Sequence, residues 1–206
     1  MKKNKETVFI NGGAGLIGSM VARKLLPMGY KVVIFDSFIT YISPFKTYIK
    51  NYIDLRFEGI KDDVIFERGD TTNISHSRKI INKYKPEYVL HLAAMPLADL
   101  SNEHVEEAVA SILLGPINML EILKYQNNLK NFVFVSSSMI YGDFKEVPCP
   151  ETHSKTPKDI YGGSKYAGEI MIKTLSERFN LPHTIVRPSA VYGPYDINRR
   201  VSQIFV

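Results

Sequence analysis

The sequence predicts an α/β fold, a doubly wound parallel sheet covered by helices on both faces. Short apolar runs rich in β-branched residues alternate with stretches of helical periodicity along the whole chain. No internal repeat or low-complexity segment interrupts the alternation. The first apolar run leads through a glycine-rich turn directly into a helical pattern, which is typical of parallel strands joined by crossover helices.

Length and composition fit one domain with a sizeable core. The chain has 206 residues, of which 45% are hydrophobic, enough to bury a substantial apolar interior. The formal net charge is +5, but Lys2, Lys3 and Lys5 crowd the N-terminus, and discounting those three leaves +2. No basic face with interleaved aromatic residues is visible elsewhere, so we expect no nucleic-acid partner.

The chain shows no membrane or secretion signal. Only the apolar run Val8-Phe9-Ile10 follows the basic N-terminus before Asn11, too short for a signal peptide, and no run approaches membrane-spanning length. Cys149 is the single cysteine, which excludes an internal disulfide and fits a reducing compartment. We expect a cytoplasmic protein with no membrane partner and no metal site.

The first strand, at residues 7–10, is followed by two overlapping dinucleotide fingerprints. They use the glycines Gly12, Gly13, Gly15 and Gly18. Glycine is needed there because the backbone turns sharply and approaches a pyrophosphate, whose charge meets the N-terminus of the helix that follows. The sequence therefore predicts a dinucleotide site on this turn.

A second strand at residues 31–35 ends at Asp36, which follows Gly18 by 18 positions. A carboxylate there can hold the adenosine ribose hydroxyls. It repels a 2′-phosphate, and no arginine follows it immediately, so the sequence favours NAD over NADP. The alternative is that Asp36 merely begins a loop. Between Ser37 and Gly59 the sequence indicates no chemistry.

The third strand, at residues 63–68, ends in Gly69-Asp70. Asp70 could accept a hydrogen bond from the adenine amine or could cap the next helix, which spans residues 74–84. A fourth strand at residues 88–92 finishes at Ala93-Ala94, where small side chains would let a cofactor lie against the backbone. His91 lies inside this apolar strand and is interpreted as a satisfied core histidine.

A long helix is predicted over residues 103–124, with a kink at Gly115-Pro116. Its broad apolar surface indicates core, with area left for a partner subunit.

The fifth strand, at residues 131–135, runs into three serines, Ser136 to Ser138. These hydroxyls could orient a substrate hydroxyl at the carboxyl edge of the sheet, or they form an ordinary serine-rich turn. The sixth strand spans residues 184–187.

Tyr161 and Lys165 are spaced to share one face of a helix. A phenol that acts as a base at neutral pH needs its pKa lowered by about 3 units, roughly 4 kcal/mol, and a neighbouring cation favours that change. Tyr141 and Lys145 have the same spacing, but Gly142 and two prolines place them in a loop. The remaining alternative for the first pair is an exposed tyrosine beside a solvated lysine.

Taken together, the motifs resemble those of the extended short-chain dehydrogenase/reductase family, in particular its nucleotide-sugar epimerases and dehydratases. The resemblance covers nearly the whole chain. The shared motifs, in order, are residues 12–18, Asp36, Gly69-Asp70, residues 91–94, Ser136 to Ser138 with Tyr141-Gly142, Tyr161 with Lys165, and Arg187-Pro188 through Tyr192-Gly193-Pro194. This family has a Rossmann fold.

The resemblance implies roles for individual residues. Tyr161 is the base, and Lys165 lowers its pKa and binds the nicotinamide ribose. The family's serine or threonine stands four positions before the tyrosine of the Tyr-Gly motif, which selects Ser137, with Ser138 as the fallback. The cofactor contacts implied are Gly12, Gly15, Leu16, Ile17, Gly18, Asp36, Asp70, Thr71, Leu92, Ala93, Ala94, Tyr161, Lys165 and Pro188.

The chain departs from the family's pattern at points that bear on the reaction. Dehydratases of the family typically carry an acidic pair after that serine or threonine, whereas this chain has Ser138 and Met139. Carbon-4 epimerases often carry an asparagine where this chain has Ala190. Because Ser137, Tyr161 and Lys165 are all present and the acidic pair is not, we expect an NAD-dependent nucleotide-sugar epimerase that acts at sugar carbon 4 through a transient 4-keto intermediate. The alternatives are a nucleotide-sugar dehydratase or reductase on the same scaffold, or a non-catalytic NAD-binding module.

The resemblance also bears on domains and assembly. Family members continue into a smaller C-terminal domain that closes over the sugar nucleotide. We expect residues 1–206 to form the NAD-binding domain, with that smaller domain largely absent. The family commonly dimerises by packing two helices of each subunit into a four-helix bundle, which predicts a homodimer through helices 103–124 and 161–179.

Overall fold

The structure, a computed structural model, describes residues 5–40 and 52–197. Six parallel strands form one sheet in the order β3-β2-β1-β4-β5-β6. The strands are β1 (Thr7–Asn11), β2 (Lys31–Asp36), β3 (Val64–Arg68), β4 (Tyr88–His91), β5 (Asn131–Val135) and β6 (His183–Val186). The predicted doubly wound α/β fold is confirmed.

Helices connect the strands and cover the sheet. They are α1 (Leu16–Leu25), α2 (Tyr52–Arg56), α3 (Ile74–Tyr84), α4 (Ala98–Glu103), α5 (Val105–Val109), α6 (Gly115–Leu123) and α7 (Ile160–Phe179). Short 3-10 turns occur at Lys61–Asp63 and Ser138–Tyr141, and a π turn at Ala110–Leu114. The strand predictions agree with the structure to within about a residue at each end, the ordinary uncertainty of element boundaries.

Neighbouring residues of each strand point to opposite sides of the sheet, and in the central strand β1 the side chains on both sides are buried. In β1, Phe9 packs into a cluster with residues of α3, α6 and α7. Val8 and Ile10 pack on the other face, with Ala22 of α1 and with Phe57. Burial of each such side chain stabilises the fold by about 1.5–3 kcal/mol, so the alternation in β1 fixes its register between two layers.

The helix predicted over residues 103–124 runs from Val105 to Leu123 as α5, the π turn and α6. His104, with φ −124° and ψ 66°, separates it from α4, which the sequence did not indicate. Inside the helix, the wider π turn lets the Gly115 amide donate to the Ala110 carbonyl, five residues back. Pro116 has no amide hydrogen, and its ring crowds the carbonyl of Ile112 in a regular helix. The predicted kink is therefore a π turn.

The strand order reverses between β1 and β4, which are neighbours in the sheet although helices and two other strands separate them in sequence. Their connections leave in opposite directions, so a crevice opens beyond their carboxyl ends. In open α/β sheets this switch point is where ligands bind. Among the described residues, no helix is long and apolar enough to cross a membrane.

Candidate active site

A cavity of about 1080 Å³ opens at the carboxyl ends of the strands. Every residue predicted from the sequence to bind cofactor or to act in catalysis lines it. They are Gly12, Gly15, Leu16, Ile17, Gly18, Asp36, Asp70, Thr71, Leu92, Ala93, Ala94, Ser137, Tyr161, Lys165 and Pro188. Because these residues come from well-separated stretches of the chain, the fold supplies their proximity.

The glycine turn after β1 is shaped by close backbone contacts. Gly12 has φ +69°, and a Cβ on it would lie 2.6 Å from the Ala93 nitrogen. A Cβ on Gly18 would lie 2.5 Å from the Gly13 Cα, so α1 starts directly against the turn. Gly15 is the N-cap of α1, with no side-chain capping bond and no acidic residue in the first turn. The free amide groups there suit an anion such as a pyrophosphate.

Asp36 lies beside this turn, at the end of β2. Its carboxylate accepts hydrogen bonds from the amides of Ala14 at 2.9 Å and Phe38 at 2.8 Å. Burial raises the pKa of Asp36 above its ordinary value, although both backbone bonds and the charge of Arg56 act in the opposite direction. The carboxylate is thus fixed in the cavity wall, where ribose hydroxyls can reach it.

Asp70 does not cap α3, so that alternative is wrong. The N-cap is Asn73, whose side chain accepts from the His76 amide. The Asp70 carboxylate instead accepts from the amide and the hydroxyl of Thr72, each at 2.8 Å, a local turn typical of aspartate. Contact of Asp70 with adenine stays a prediction.

Arg56 is a residue of the cavity wall that the sequence did not indicate. Its side chain is only 3% exposed, donates to the carbonyls of Ala14 at 3.1 Å and Tyr195 at 2.7 Å, and lies 4.7 Å over the Tyr52 ring. Burial lowers its pKa, while the charges of Tyr52, Asp196 and Asp36 raise it. The helical interval between Tyr52 and Arg56 was visible in the sequence, but their contacts lie up to 139 residues away.

The phenol and the amine both come from the first turns of α7. Asp159 caps this helix by accepting from the Gly162 amide at 2.6 Å. The Lys165 Nζ lies 5.7 Å from the centre of the Tyr161 ring and donates to the Val135 carbonyl at 2.7 Å. The two side chains therefore share a helix face, as their spacing predicts, and Lys165 reaches the end of β5.

Burial strongly affects the Lys165 ammonium. The side chain is 2% exposed, and desolvation lowers its pKa from 10.5 to about 7. Near neutral pH the amine is therefore poised between its charged and neutral forms. A phenolate on Tyr161 would favour the charged form, since opposite charges stabilise each other at short range. The predicted action of Lys165 on Tyr161 is thus reciprocal.

The three serines after β5 all line the cavity. Ser137 begins the 3-10 turn, and its Oγ accepts from the Met139 amide at 3.2 Å. The Ser138 amide donates to the Pro188 carbonyl at 3.0 Å, which joins this turn to the cofactor-side loop. The serines are therefore built into the site rather than forming only a surface turn. The choice of Ser137 over Ser138 stays a prediction.

Two other sequence candidates lie outside the reaction site. Tyr141 is 6% exposed and its hydroxyl accepts from Arg187 at 2.8 Å, so the second Tyr–Lys pair does not face the cavity. His91 is fully buried, and burial lowers its pKa to about 3. Its Nδ1 lies 3.1 Å from Asn11 Nδ2, but Nε2 has no hydrogen-bond partner among the described residues. His91 is a neutral core residue, although not a fully satisfied one.

The cavity fits an extended dinucleotide. The glycine turn and α1 offer amides for a pyrophosphate, Asp36 lies at one end, and Tyr161 and Lys165 lie at the other. Gly69 also lines the cavity and packs closely on β2, because a Cβ there would lie 2.4 Å from the Phe35 ring. No group of side chains suited to hold a metal ion occurs in residues 5–40 and 52–197.

Several known proteins are similar to this chain in sequence. The profile of the family described as GDP-mannose 4,6 dehydratase matches residues 9–205. UDP-glucuronate 4-epimerase 6 of Arabidopsis thaliana is 31% identical over 190 residues, which are 92% of this chain and 40% of the plant protein. A putative UDP-glucose 4-epimerase of Methanocaldococcus jannaschii is 32% identical over 90% of this chain and 56% of its own.

A solved structure agrees with the fold. UDP-glucuronic acid 4-epimerase from Bacillus cereus, in complex with UDP-glucuronic acid and NAD, has a TM-score of 0.83 and 26% identity, covering 96% of this chain and 60% of its own. The chain spans about half the length of the curated relatives that it matches.

Proposed function

Because the chain belongs to the GDP-mannose 4,6 dehydratase family, within the extended short-chain dehydrogenase/reductases that act on nucleotide sugars, we propose that it is an NAD-dependent nucleotide-sugar 4-epimerase. The observation that carries the proposal is the convergence of Ser137, Tyr161 and Lys165 on the cavity that also holds the glycine turn and Asp36. The named 4-epimerases among the relatives support the same reaction. We further propose that residues 1–206 form the cofactor-binding domain.

Different residues of the cavity would bind different parts of NAD. The amides around Gly15 would receive the pyrophosphate, the Asp36 carboxylate the adenosine ribose, and Lys165 the nicotinamide ribose. The small residues Ala93 and Ala94 leave space beside the sheet edge. When bound, the cofactor supplies reversible hydride acceptance at sugar carbon 4, so that a transient 4-keto sugar can present its other face.

In the proposed reaction, residues of this chain carry out the proton transfer. The Tyr161 phenolate accepts the proton of the sugar 4-hydroxyl and returns it to the epimer. Lys165, when charged, stabilises the phenolate, and the Ser137 hydroxyl orients the sugar oxygen. A general base placed in this way contributes about 10²–10⁴-fold to a rate. The phenol needs roughly 4 kcal/mol of preferential stabilisation of its ionised form, which one buried ammonium and a bound cationic ring can supply.

A dehydratase is the second candidate, because the matching family profile carries that description. In this chain Ser138 and Met139 occupy the positions of the acidic pair. Met139 lines the cavity and is 38% exposed, so an apolar thioether stands where elimination of water needs an acid. This difference favours epimerisation.

Tyr161→Phe tests the proposed function. We expect the interconversion of UDP-sugar 4-epimers to fall by about 10²–10⁴-fold, while NAD binding persists because the ring remains. Tyr125→Phe, at a tyrosine that is 67% exposed and does not line the cavity, is the matched control. Interconversion unaffected by Tyr161→Phe would contradict the base assignment and favour a binding module. Net formation or consumption of NADH, rather than its recycling, would indicate a reductase.

We also propose that the protein forms a homodimer through α5, the π turn, α6 and α7, the helices predicted over residues 103–124 and 161–179. These neighbouring helices leave large apolar side chains in solvent. They are Val105 (45% exposed), Leu114 (49%), Ile170 (49%), Met171 (38%) and Phe179 (42%). A second copy that packs the same helices against them would cover this area in a four-helix arrangement.

We place the protein in the cytoplasm. Its single cysteine, Cys149, is free and fits a reducing compartment. Fractionation of the source cells with an antibody against this chain would test the placement.

A further inference from the structure

A buried ion pair joins Glu169 of α7 to Arg187, the residue that follows β6. Glu169 follows Lys165 by one helical turn, just as Lys165 follows Tyr161, so the three side chains form one stripe. Glu169 is 1% exposed and accepts two bonds from Arg187, at 2.9 Å from Nε and 2.7 Å from Nη2. Burial raises the pKa of Glu169, but the bonds and charge of Arg187, together with Ser136 and the charge of Lys173, hold it below its ordinary value.

Arg187 carries the connection beyond α7. Its Nη1 donates to the Tyr141 hydroxyl at 2.8 Å and to the Glu151 carbonyl at 3.2 Å. The guanidinium also lies 5.4 Å from the centre of the Tyr141 ring. A planar guanidinium can satisfy a carboxylate with one edge and another acceptor with its remaining nitrogen, so Arg187 bridges two elements.

Tyr141 is the last residue of the 3-10 turn Ser138–Tyr141, and Ser137 is the N-cap of the same turn. The far end of this turn is also held by Thr156, whose hydroxyl donates to the Tyr141 carbonyl at 2.9 Å. Its middle touches the first turn of α7, because a Cβ on Gly162 would lie 2.8 Å from the Met139 carbonyl oxygen. The turn that carries Ser137 therefore rests on the helix that carries Tyr161.

Resting on the proposed function, we infer that Glu169, Arg187 and Tyr141 are positioning residues that hold the Ser137 hydroxyl at its working distance from Tyr161. None of the three lines the cavity, so they act through the turn and not on the substrate. A displacement of a reacting group by about 1 Å can cost about 10²-fold in rate. The network therefore controls the rate more than it controls binding.

A double-mutant cycle between Tyr141→Phe and Ser137→Ala tests this inference. Tyr141→Phe removes one oxygen and keeps the ring. We expect it to lower kcat by about tenfold or more, with KM and the Kd for NAD changed less than about twofold. In the Ser137→Ala background the same change should cost less than about twofold, because the group that it displaces is gone. Equal losses in both backgrounds would overturn the inference.

Glu169→Gln is the second variant, since it keeps the side-chain shape and removes the charge that fixes Arg187. We expect the same dependence on Ser137. Tyr84→Phe is the matched control, because the Tyr84 hydroxyl also bonds an ionised group, Glu67, far from the cavity. It should leave kcat unchanged.

A spectroscopic measurement separates this inference from the proposed function. In protein labelled at the tyrosine Cζ carbon, Tyr161→Phe assigns the Tyr161 resonance. We expect Tyr141→Phe to shift that resonance and Tyr84→Phe to leave it in place, whether or not a given nucleotide sugar turns over. An unmoved resonance would overturn the positioning role. A shifted resonance in a protein that interconverts no 4-epimers would sink the proposed function alone.

Discussion

Burial of the Lys165 amine is the single-residue feature with the largest consequence for the chemistry. Contact with the Val135 carbonyl and the Phe134 ring keeps the amine out of water. Its pKa falls to about 7 as a result. Protonation of Lys165 and ionisation of Tyr161 would therefore assist each other, and in the proposed reaction the active form is the pair of opposite charges.

This burial predicts a pH-dependent stability. The unfolded chain keeps the Lys165 proton up to about pH 10.5, whereas the folded chain loses it near pH 7. Between these values the unfolded state binds more protons, so stability rises with pH. We expect Lys165→Met to be more stable than the parent at pH 7, by on the order of 2–4 kcal/mol. This advantage should disappear towards pH 10.5, as measured by urea unfolding without NAD. Parallel stability curves would contradict the shifted pKa.

The backbone conformation and close contacts of Gly12 predict the effect of replacing it with alanine. An alanine at position 12 would have to adopt a φ of +69°, and its Cβ would lie 2.6 Å from the Ala93 nitrogen. We expect Gly12→Ala to abolish NAD binding and to destabilise the fold by more than about 2 kcal/mol. Gly59→Ala isolates the contribution of φ, because Gly59 has φ +73° and no atom lies within 4 Å of the point that an alanine methyl would occupy. Calorimetry of both variants provides the comparison, and equal losses would show that the contact with Ala93 is unimportant.

Among the secondary-structure elements, α2 is attached to the site by Arg56. The arginine joins this short helix to the glycine turn through Ala14 and to the segment after β6 through Tyr195. The described part of α2 is held by these bonds and by the packing of Phe57. Cofactor binding and the position of the Tyr195 segment are thus connected through one side chain.

We predict that Arg56→Met weakens NAD binding by about tenfold and increases amide hydrogen exchange at residues 193–197. Each hydrogen bond from the charged guanidinium stabilises the folded state by about 1.5–3 kcal/mol, and the substitution removes them. Arg23→Met is the control, because Arg23 holds the same helix from α1 by bonds to the carbonyls of Arg56 and Glu58 and does not line the cavity. If exchange at residues 193–197 rose equally in both variants, the effect would belong to α2 as a whole.

At the scale of the whole molecule, the proposed dimer rests on the exposed apolar side chains of α5, the π turn, α6 and α7. Leu114 and Ile170 are each 49% exposed. A charge at either position would be buried without a partner in a dimer, at a cost of several kcal/mol. We predict that the parent sediments as a dimer and that Leu114→Glu or Ile170→Glu sediments as a monomer.

Met28→Glu is the control for this prediction. Met28 is 69% exposed but lies outside those helices, so its substitution should leave the dimer intact. A parent protein that is monomeric at high concentration would contradict the assembly. Dissociation by all three variants would show that charge, rather than the position of the helices, is responsible.

The sequence by itself determined the order of strands and helices, the dinucleotide turn and the face shared by Tyr161 and Lys165. These features depend on periodicity and on backbone requirements within a few residues. The strands and the glycine turn before α1 follow from such local rules. The short helix α4 and its separation from α5 at His104 were not predicted, because no proline or glycine marks that boundary.

Only the tertiary structure decided the burial of Lys165, the place of Arg56 in the cavity wall and the bridge from Glu169 through Arg187 to Tyr141. Each depends on contacts between residues far apart in the chain, such as Arg56 with Tyr195 or Arg187 with Tyr141. Desolvation and charge pairing arise from the surrounding protein and not from the local pattern. The sequence could name the reacting groups, but their protonation and spacing are properties of the folded chain.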